Sequence, residues 1–171
     1  MADALKALAR RPLTAAELRD RLAKREWGAD EIDETLERLG ADGYVDDAKL
    51  ALDFIVLRSA RLAVGPLKLI ADLRKRGVSE SVARTAWRQA MESGDLDSLA
   101  ALRHRMRRQL SATDRPLDSR GYARVYNALL RAGFEGEHIR RELEPYRGSD
   151  ASRDSSDAQY PTANEASHDV P

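Results

Sequence analysis

Asp46 and Asp47 stand side by side, and a carboxylate pair is what acid–base catalysis or magnesium binding would use. Their context points elsewhere. Apolar residues at helical spacing follow them, so Asp46 falls where a carboxylate caps orphan backbone N–H groups. Asp47 falls in the first turn, where the helix dipole favours negative charge. The histidines, His104, His138 and His168, lack metal-ligand spacing, and His138 beside Glu137 reads as an exposed helical polar pair. No serine or threonine has an evident base and orienting acid. The ten glycines are scattered, and none opens a Gly-Lys-Ser/Thr phosphate loop. The residues therefore predict a non-enzyme with no catalytic group, no cofactor and no metal.

Basic residues carry the sharper signal. Arg58 and Arg61 close one predicted helix, Lys68 lies in the next, and Arg74, Lys75 and Arg76 close that one. Arg103, Arg105, Arg107 and Arg108 project from a further helix, Arg131 ends another, and Arg140 and Arg141 lie on the last. Singly, such cations are solvated or stabilise a helix C-terminus by ~0.3–1 kcal/mol. As a set they are a candidate partner surface for an acidic protein or a polyanion. The formal net charge is zero, yet residues 1–45 carry −2, while residues 46–94 and 95–147 carry +3 each. Residues 148–171 hold one basic and five acidic residues. Reversing Arg74, Lys75 and Arg76 together is expected to spare the fold and weaken partner binding.

Helices must position these groups. Thr14-Ala15-Ala16-Glu17 is a capping box. It follows a short helix from Asp3 to about Arg10, with Leu5 and Leu8 inward. Leu18 and Leu22 continue the boxed helix, and Trp27-Gly28 turns the chain. Asp30 is expected to cap the next helix, with Ile32, Leu36 and Leu39 as its stripe. After Asp46, the residues Leu50, Phe54 and Leu57 share one face. Gly65-Pro66 opens a new helix, Gly77 stops it and Ser79 caps the following one. From Asp95 on, Leu96, Leu99, Leu102, Met106 and Leu110 form a stripe. A loop through Pro116 leads to Tyr122, Val125, Tyr126 and Leu129, then a turn at Gly133-Phe134, then Ile139 and Leu143. Trp27, Trp87, Phe54 and Phe134 read as core rather than base-stacking residues. Tyr122 and Tyr126 stand open between core and a surface beside Arg124.

Three stretches overlay. Trp27, Val78 and Phe134 are equivalent turn residues, spaced 51 and then 56 residues apart. Five residues on come Ile32, Ala83 and Ile139; four further on come Leu36, Trp87 and Leu143. The expected fold is all-α: three tandem three-helix, helix-turn-helix-like repeats over 1–45, 46–94 and 95–147. A unit of about 45 residues is marginal alone, so the units are expected to stack into an elongated, curved body. The acidic stretch 148–171 is expected to be disordered.

The chain has 171 residues, 42% hydrophobic and 5% aromatic, and no cysteine. Disulfides and thiolate chemistry are thereby excluded. No apolar run approaches the ~20 residues of a membrane span, and no secretory signal is visible. A monomeric cytoplasmic protein with no membrane partner is expected.

Val45-Asp46-Asp47, Leu50-Ala51, Phe54, Arg58, Gly65-Pro66, Leu73, Lys75 and Gly77-Val78-Ser79 resemble the signature of the RecX family, regulators of the bacterial RecA recombinase. Leu8-Ala9-Arg10-Arg11, Thr14, Glu17-Leu18 and Leu22 match its opening helices, and Asn127 to Phe134 with Ile139 its third unit. The resemblance spans about residues 3 to 146. Where the family has glycine before the first-unit aromatic, this chain has Glu26, so a different turn is expected there. The resemblance implies three helical repeats that bind along the RecA–DNA filament. It further implies a protein that modulates, and mainly inhibits, ATP hydrolysis, strand exchange and co-protease activity. The alternative reading is a direct binder of single- or double-stranded DNA, since the later units are basic.

Overall fold

Nine α-helices supply most of the regular structure in the computed structural model, which describes residues 1–111 and 116–148. They are α1 (Ala2–Leu8), α2 (Ala15–Ala23), α3 (Ala29–Ala41), α4 (Asp47–Leu62), α5 (Pro66–Lys75), α6 (Glu80–Glu92), α7 (Ser98–Leu110), α8 (Ser119–Arg131) and α9 (Gly136–Leu143). A single 3-10 turn, Glu144–Tyr146, follows. No strand occurs among the described residues; Leu117 and Arg147 form one isolated bridge. The expected acidic tail from 149 onward lies outside the described residues.

Each consecutive trio of helices closes its own core. Ala4, Leu18, Leu22, Ile32 and Leu39 form the first. Ala51, Ile55, Leu69, Leu73, Ala83 and Ala86 form the second. Leu102, Met106, Tyr122, Leu129, Phe134 and Ile139 are central to the third. Small residues on α4 and α6 let those helices approach closely, and theirs is the most extensive helix pairing. The equivalent positions Ile32, Ala83 and Ile139 are all buried. Tyr122 and Tyr126 are both buried and stacked, with ring centroids 6.3 Å apart, which places them in the core.

Several caps follow their sequence signals. The Thr14–Glu17 capping box is complete, and Asp46 and Ser79 accept from backbone N–H groups in the first turns of their helices, as does Asp118, which the sequence pattern did not single out. Other expectations shift. The buried face of α4 is Ala51, Ile55 and Ser59, and Leu57 is 64% exposed. That helix is apolar on more than one side, so spacing alone picked a neighbouring face. Likewise Ala4 and Ala7 face inward from α1 while Leu5 is exposed, and Leu99 is exposed on α7. Asp30 lies in the first turn of α3, whose N-cap is Gly28. The helix of the third unit starts at Ser98, capped by Asp97.

The turn after the second helix of each unit is the same structure three times. The N–H groups of Trp27, Val78 and Phe134 donate to the carbonyls of Leu22, Leu73 and Leu129 at 3.4, 3.1 and 3.3 Å. The preceding N–H groups, of Glu26, Gly77 and Gly133, donate to Ala23, Arg74 and Leu130 at 3.0, 2.9 and 2.8 Å. All three of these residues are left-handed, with φ of 62°, 84° and 87°. This is the helix-ending motif that glycine serves best. The expectation that Glu26 forces a different turn is therefore corrected: Glu26 adopts the left-handed conformation. A non-glycine residue there costs about 1–2 kcal/mol, part of which glycine returns as unfolded-state entropy. Glu26→Gly is accordingly expected to raise stability by about 0.5–1 kcal/mol, read as a higher denaturant midpoint.

Glycine at 77 and 133 serves a second purpose. A Cβ on Gly77 would collide with the Ala16 side chain, and a Cβ on Gly133 would collide with Lys68, backbone included. In each case the turn of one unit rests on the first turn of the preceding unit's second helix. At the first joint the Thr14 hydroxyl donates to the Arg76 carbonyl at 2.6 Å, and the Ala15 N–H donates to Asp47 Oδ1 at 2.9 Å. At the second, the N–H groups of Gly65 and Leu67 donate to the carbonyls of Ala132 and Gly133 at 2.8 and 3.0 Å. Thr14 and Gly65 are the N-caps of α2 and α5, and Arg76 and Ala132 the C-caps of α5 and α8, so one joint is used twice. Glu26 meets no such neighbour, being exposed, which is why a side chain is tolerated there.

Candidate partner-binding surface

The predicted cations divide into those engaged within the chain and those that project freely. Arg76, at the end of α5, lies furthest from its expected role. Its Nε and Nη2 donate to the two carboxylate oxygens of Glu17 at 3.0 and 2.9 Å, across the first joint. Its guanidinium also lies 5.8 Å from the centroid of the Phe54 ring. A bidentate pair of this kind is geometrically specific as well as strong. Arg76 is therefore a joint residue, and reversing its charge is expected to disturb the fold, unlike reversal at Arg74 or Lys75.

The same carboxylate accepts from the Thr14 N–H at 3.1 Å and from Arg11 at 3.2 Å. Hydrogen bonding from Arg76 is the main cause that lowers the Glu17 pKa to about 2; burial opposes it, and Thr14 and the charges of Arg76 and Arg11 add to it. Glu17 in turn holds the Arg76 pKa above its ordinary value. A carboxyl lowered in the folded state stabilises it fully above the unfolded pKa of about 4.3, and that stability is lost as pH falls toward 2. Because solvent still reaches and screens the pair, the fall to about 2 corresponds to a contribution on the order of 1–2 kcal/mol. Wild-type stability is expected to decline between about pH 5 and pH 2 through this group. Glu17→Gln is expected to be less stable at pH 7 and to lack that share of the acid dependence, measured by denaturant unfolding at several pH values.

Other cations pair at the surface. Arg58 lies 4.9 Å from the Phe54 ring centroid and 3.6 Å from Asp72, and Lys68 reaches the same carboxylate at 3.8 Å. Arg74 pairs with Glu80 at 3.1 Å. Arg103 grips Glu142 through two hydrogen bonds of 2.6 and 3.0 Å, which raises the arginine pKa and lowers that of the carboxyl. Arg140 donates to the Tyr126 hydroxyl at 3.0 Å, and Arg141 pairs with Glu137 at 3.1 Å. The exposed ion pairs among these contribute little each, but they cancel charge locally; the Tyr126 hydroxyl leaves the charge of Arg140 in place.

Arg61, Lys75, Arg107, Arg108 and Arg131 are exposed, and none pairs with a carboxylate among the described residues. Arg105 donates to the Leu62 carbonyl at 3.4 Å, at the end of α4. The fold brings Lys68, Arg105 and Arg131 together, from α5, α7 and α8, around a cleft of about 360 Å³ at the second joint. Lys75 belongs to a separate stretch of α5. Sequence reasoning missed Thr14, Glu17 and Asp47 as joint residues. The overlay held the one available signal, because it aligns Gly77 with Gly133 at two turns that need room.

No group of three or more His, Asp or Glu side chains able to hold a metal occurs among the described residues. None of their helices is long and apolar enough to cross a membrane.

The comparisons with known proteins agree with one another. A family model described as RecX, first three-helix domain, matches residues 1–39. The regulatory protein RecX of Syntrophotalea carbinolica is 34% identical over 134 residues, covering 77% of this chain and 86% of that protein. The regulatory protein RecX of Halorhodospira halophila is 33% identical over 137 residues, covering 80% and 81%. In fold, the crystal structure of RecX from Lactobacillus salivarius superposes with a TM-score of 0.67 at 20% identity, covering 84% of this chain and 94% of that one.

Proposed function

The chain belongs to the RecX family of regulatory proteins, and from that premise we propose that it regulates the RecA recombinase by binding along the RecA–DNA filament. The observation that carries this reading is likeness along most of the chain to proteins named as regulators. The uncompensated cations on the second and third units add to it. The protein acts in the cytoplasm as a monomer and makes or breaks no bonds. Three jointed units touch neighbouring protomers at once, and linked contacts raise affinity beyond that of any one unit. Bound in this way, the protein slows ATP hydrolysis, strand exchange and co-protease activity.

The test is ATP hydrolysis by RecA on single-stranded DNA with and without the purified protein. Slowing at near-stoichiometric or lower ratios is expected. An unchanged rate and filament length across salt conditions would reject the reading.

A further inference from the structure

The two joints set equivalent helix ends together, but the first carries a closed ion pair and the second a cation unmatched across the joint. In the first, the third residue of α2 is Glu17 and the C-cap of α5 is Arg76, and the two close on each other as an ion pair. In the second, the corresponding residues are Lys68 and Ala132. The carboxylate has become an ammonium and the guanidinium a methyl group. The space is left as a cleft of about 360 Å³, lined by Lys68, Arg105, Gln109, Ala128 and Arg131 among others, with no carboxylate among its lining residues. Lys68 has Asp72 at 3.8 Å, and among the described residues Arg105 meets the Leu62 carbonyl and no carboxylate.

We propose that this cleft binds a phosphate oxyanion, taking from outside the negative charge that Glu17 supplies at the first joint. Three cations from three helices facing one opening match the charge density of phosphates better than that of a single carboxylate. Arginine and lysine together suit this chemistry, one as a planar fork and one as a point charge. The hydrogen bonds from Gly65 and Leu67 to Ala132 and Gly133 hold the start of α5 against the turn after α8 before any ligand arrives, which lowers the ordering cost of binding. Two sources share this chemistry, the phosphodiester of a nucleic-acid strand and a free polyphosphate. The proposal stands apart from the recombinase reading, because the protein is tested alone.

Binding of a labelled single-stranded oligonucleotide is read by fluorescence anisotropy, and binding of tripolyphosphate by calorimetry. The variant carrying Lys68→Gln, Arg105→Gln and Arg131→Gln is expected to bind at least tenfold more weakly. Its dependence on log salt should flatten by about two, from three lost phosphate contacts. A charge-matched variant with Arg10→Gln, Lys24→Gln and Arg38→Gln should stay within twofold of wild type. Gln109→Glu, nearly isosteric, should weaken binding severalfold and guards against misfolding of the triple variant. Tight binding of the oligonucleotide names the strand as the source. Binding of tripolyphosphate alone names the free anion, and either outcome upholds the cleft when the triple variant loses it; unchanged binding by the triple variant overturns the proposal. Equal loss in the charge-matched variant, no binding of either probe, or displacement of the oligonucleotide by an acidic peptide of equal charge overturns the proposal.

Discussion

Leu73→Ala is expected to destabilise the α4–α6 core by about 2–5 kcal/mol. Leu73 is fully buried among Ala51, Leu69, Val78 and Ala83. Small residues on facing helices leave few flexible side chains to collapse into the space, so the larger part of that range is expected. The residue also bears the backbone carbonyl that ends α5 by accepting from Arg76 and Val78, so slackening there reaches the first joint. Phe54→Ala makes the informative contrast. Its ring is half-buried, packed against the core on one side and beneath Arg58 and Arg76 on the other. The expected loss is about 1–2 kcal/mol, from partial apolar burial and a cation–π contribution. Denaturant unfolding of the two variants checks the pair; equal losses would contradict the burial difference.

Gly133→Ala is expected to cost about 3–4 kcal/mol and to act at a distance from its own core. The left-handed φ of 87° accounts for about 1–2 kcal/mol once a Cβ is present. The collision with the Lys68 backbone adds the loss of two backbone hydrogen bonds across the joint, about 1 kcal/mol each. Gly65→Ala separates these causes. Its φ of −82° is ordinary, but its Cβ would strike the Gly133 carbonyl. Gly65→Ala should therefore lose only the joint share, about 2 kcal/mol. Both variants should keep helical content while the second and third units lose their mutual protection from hydrogen exchange. Retained protection across Gly65–Leu67 and Ala132–Phe134 in either variant would count against the joint.

The fold was legible because its punctuation is local. The capping box at Thr14, the cap at Asp46 and Pro66 at a helix start each act within a few residues. The overlay of Trp27, Val78 and Phe134 disclosed the repeat because a buried turn residue follows the same helix end each time. Faces were harder to read. On α4 leucine, isoleucine, valine and alanine crowd several sides, so hydrophobicity did not single out Ala51, Ile55 and Ser59 as inward. Joints were harder still. Thr14 and Glu17 look complete as a capping box, and nothing in their local pattern shows that they also receive Arg76 from 59 or more residues away. Basic residues suffered in the same way: charge is visible in sequence, but whether Glu142 cancels Arg103 is decided only by helix packing.

The joint sets two different faces against each other, a helix-ending turn on one side and a helix start on the other. Contacts of that type, once repeated between molecules, build rings where the rotation closes and fibres where it does not. Two stoppers stand in the way. Glu26 occupies the turn of the first unit, where the turns of the second and third have glycine. At the opposite extreme, Leu117, just before α8, is already paired with Tyr146 and Gly148 through hydrogen bonds of 2.9 and 2.8 Å. A molecule stripped of both would present two faces complementary to each other, the condition for head-to-tail association.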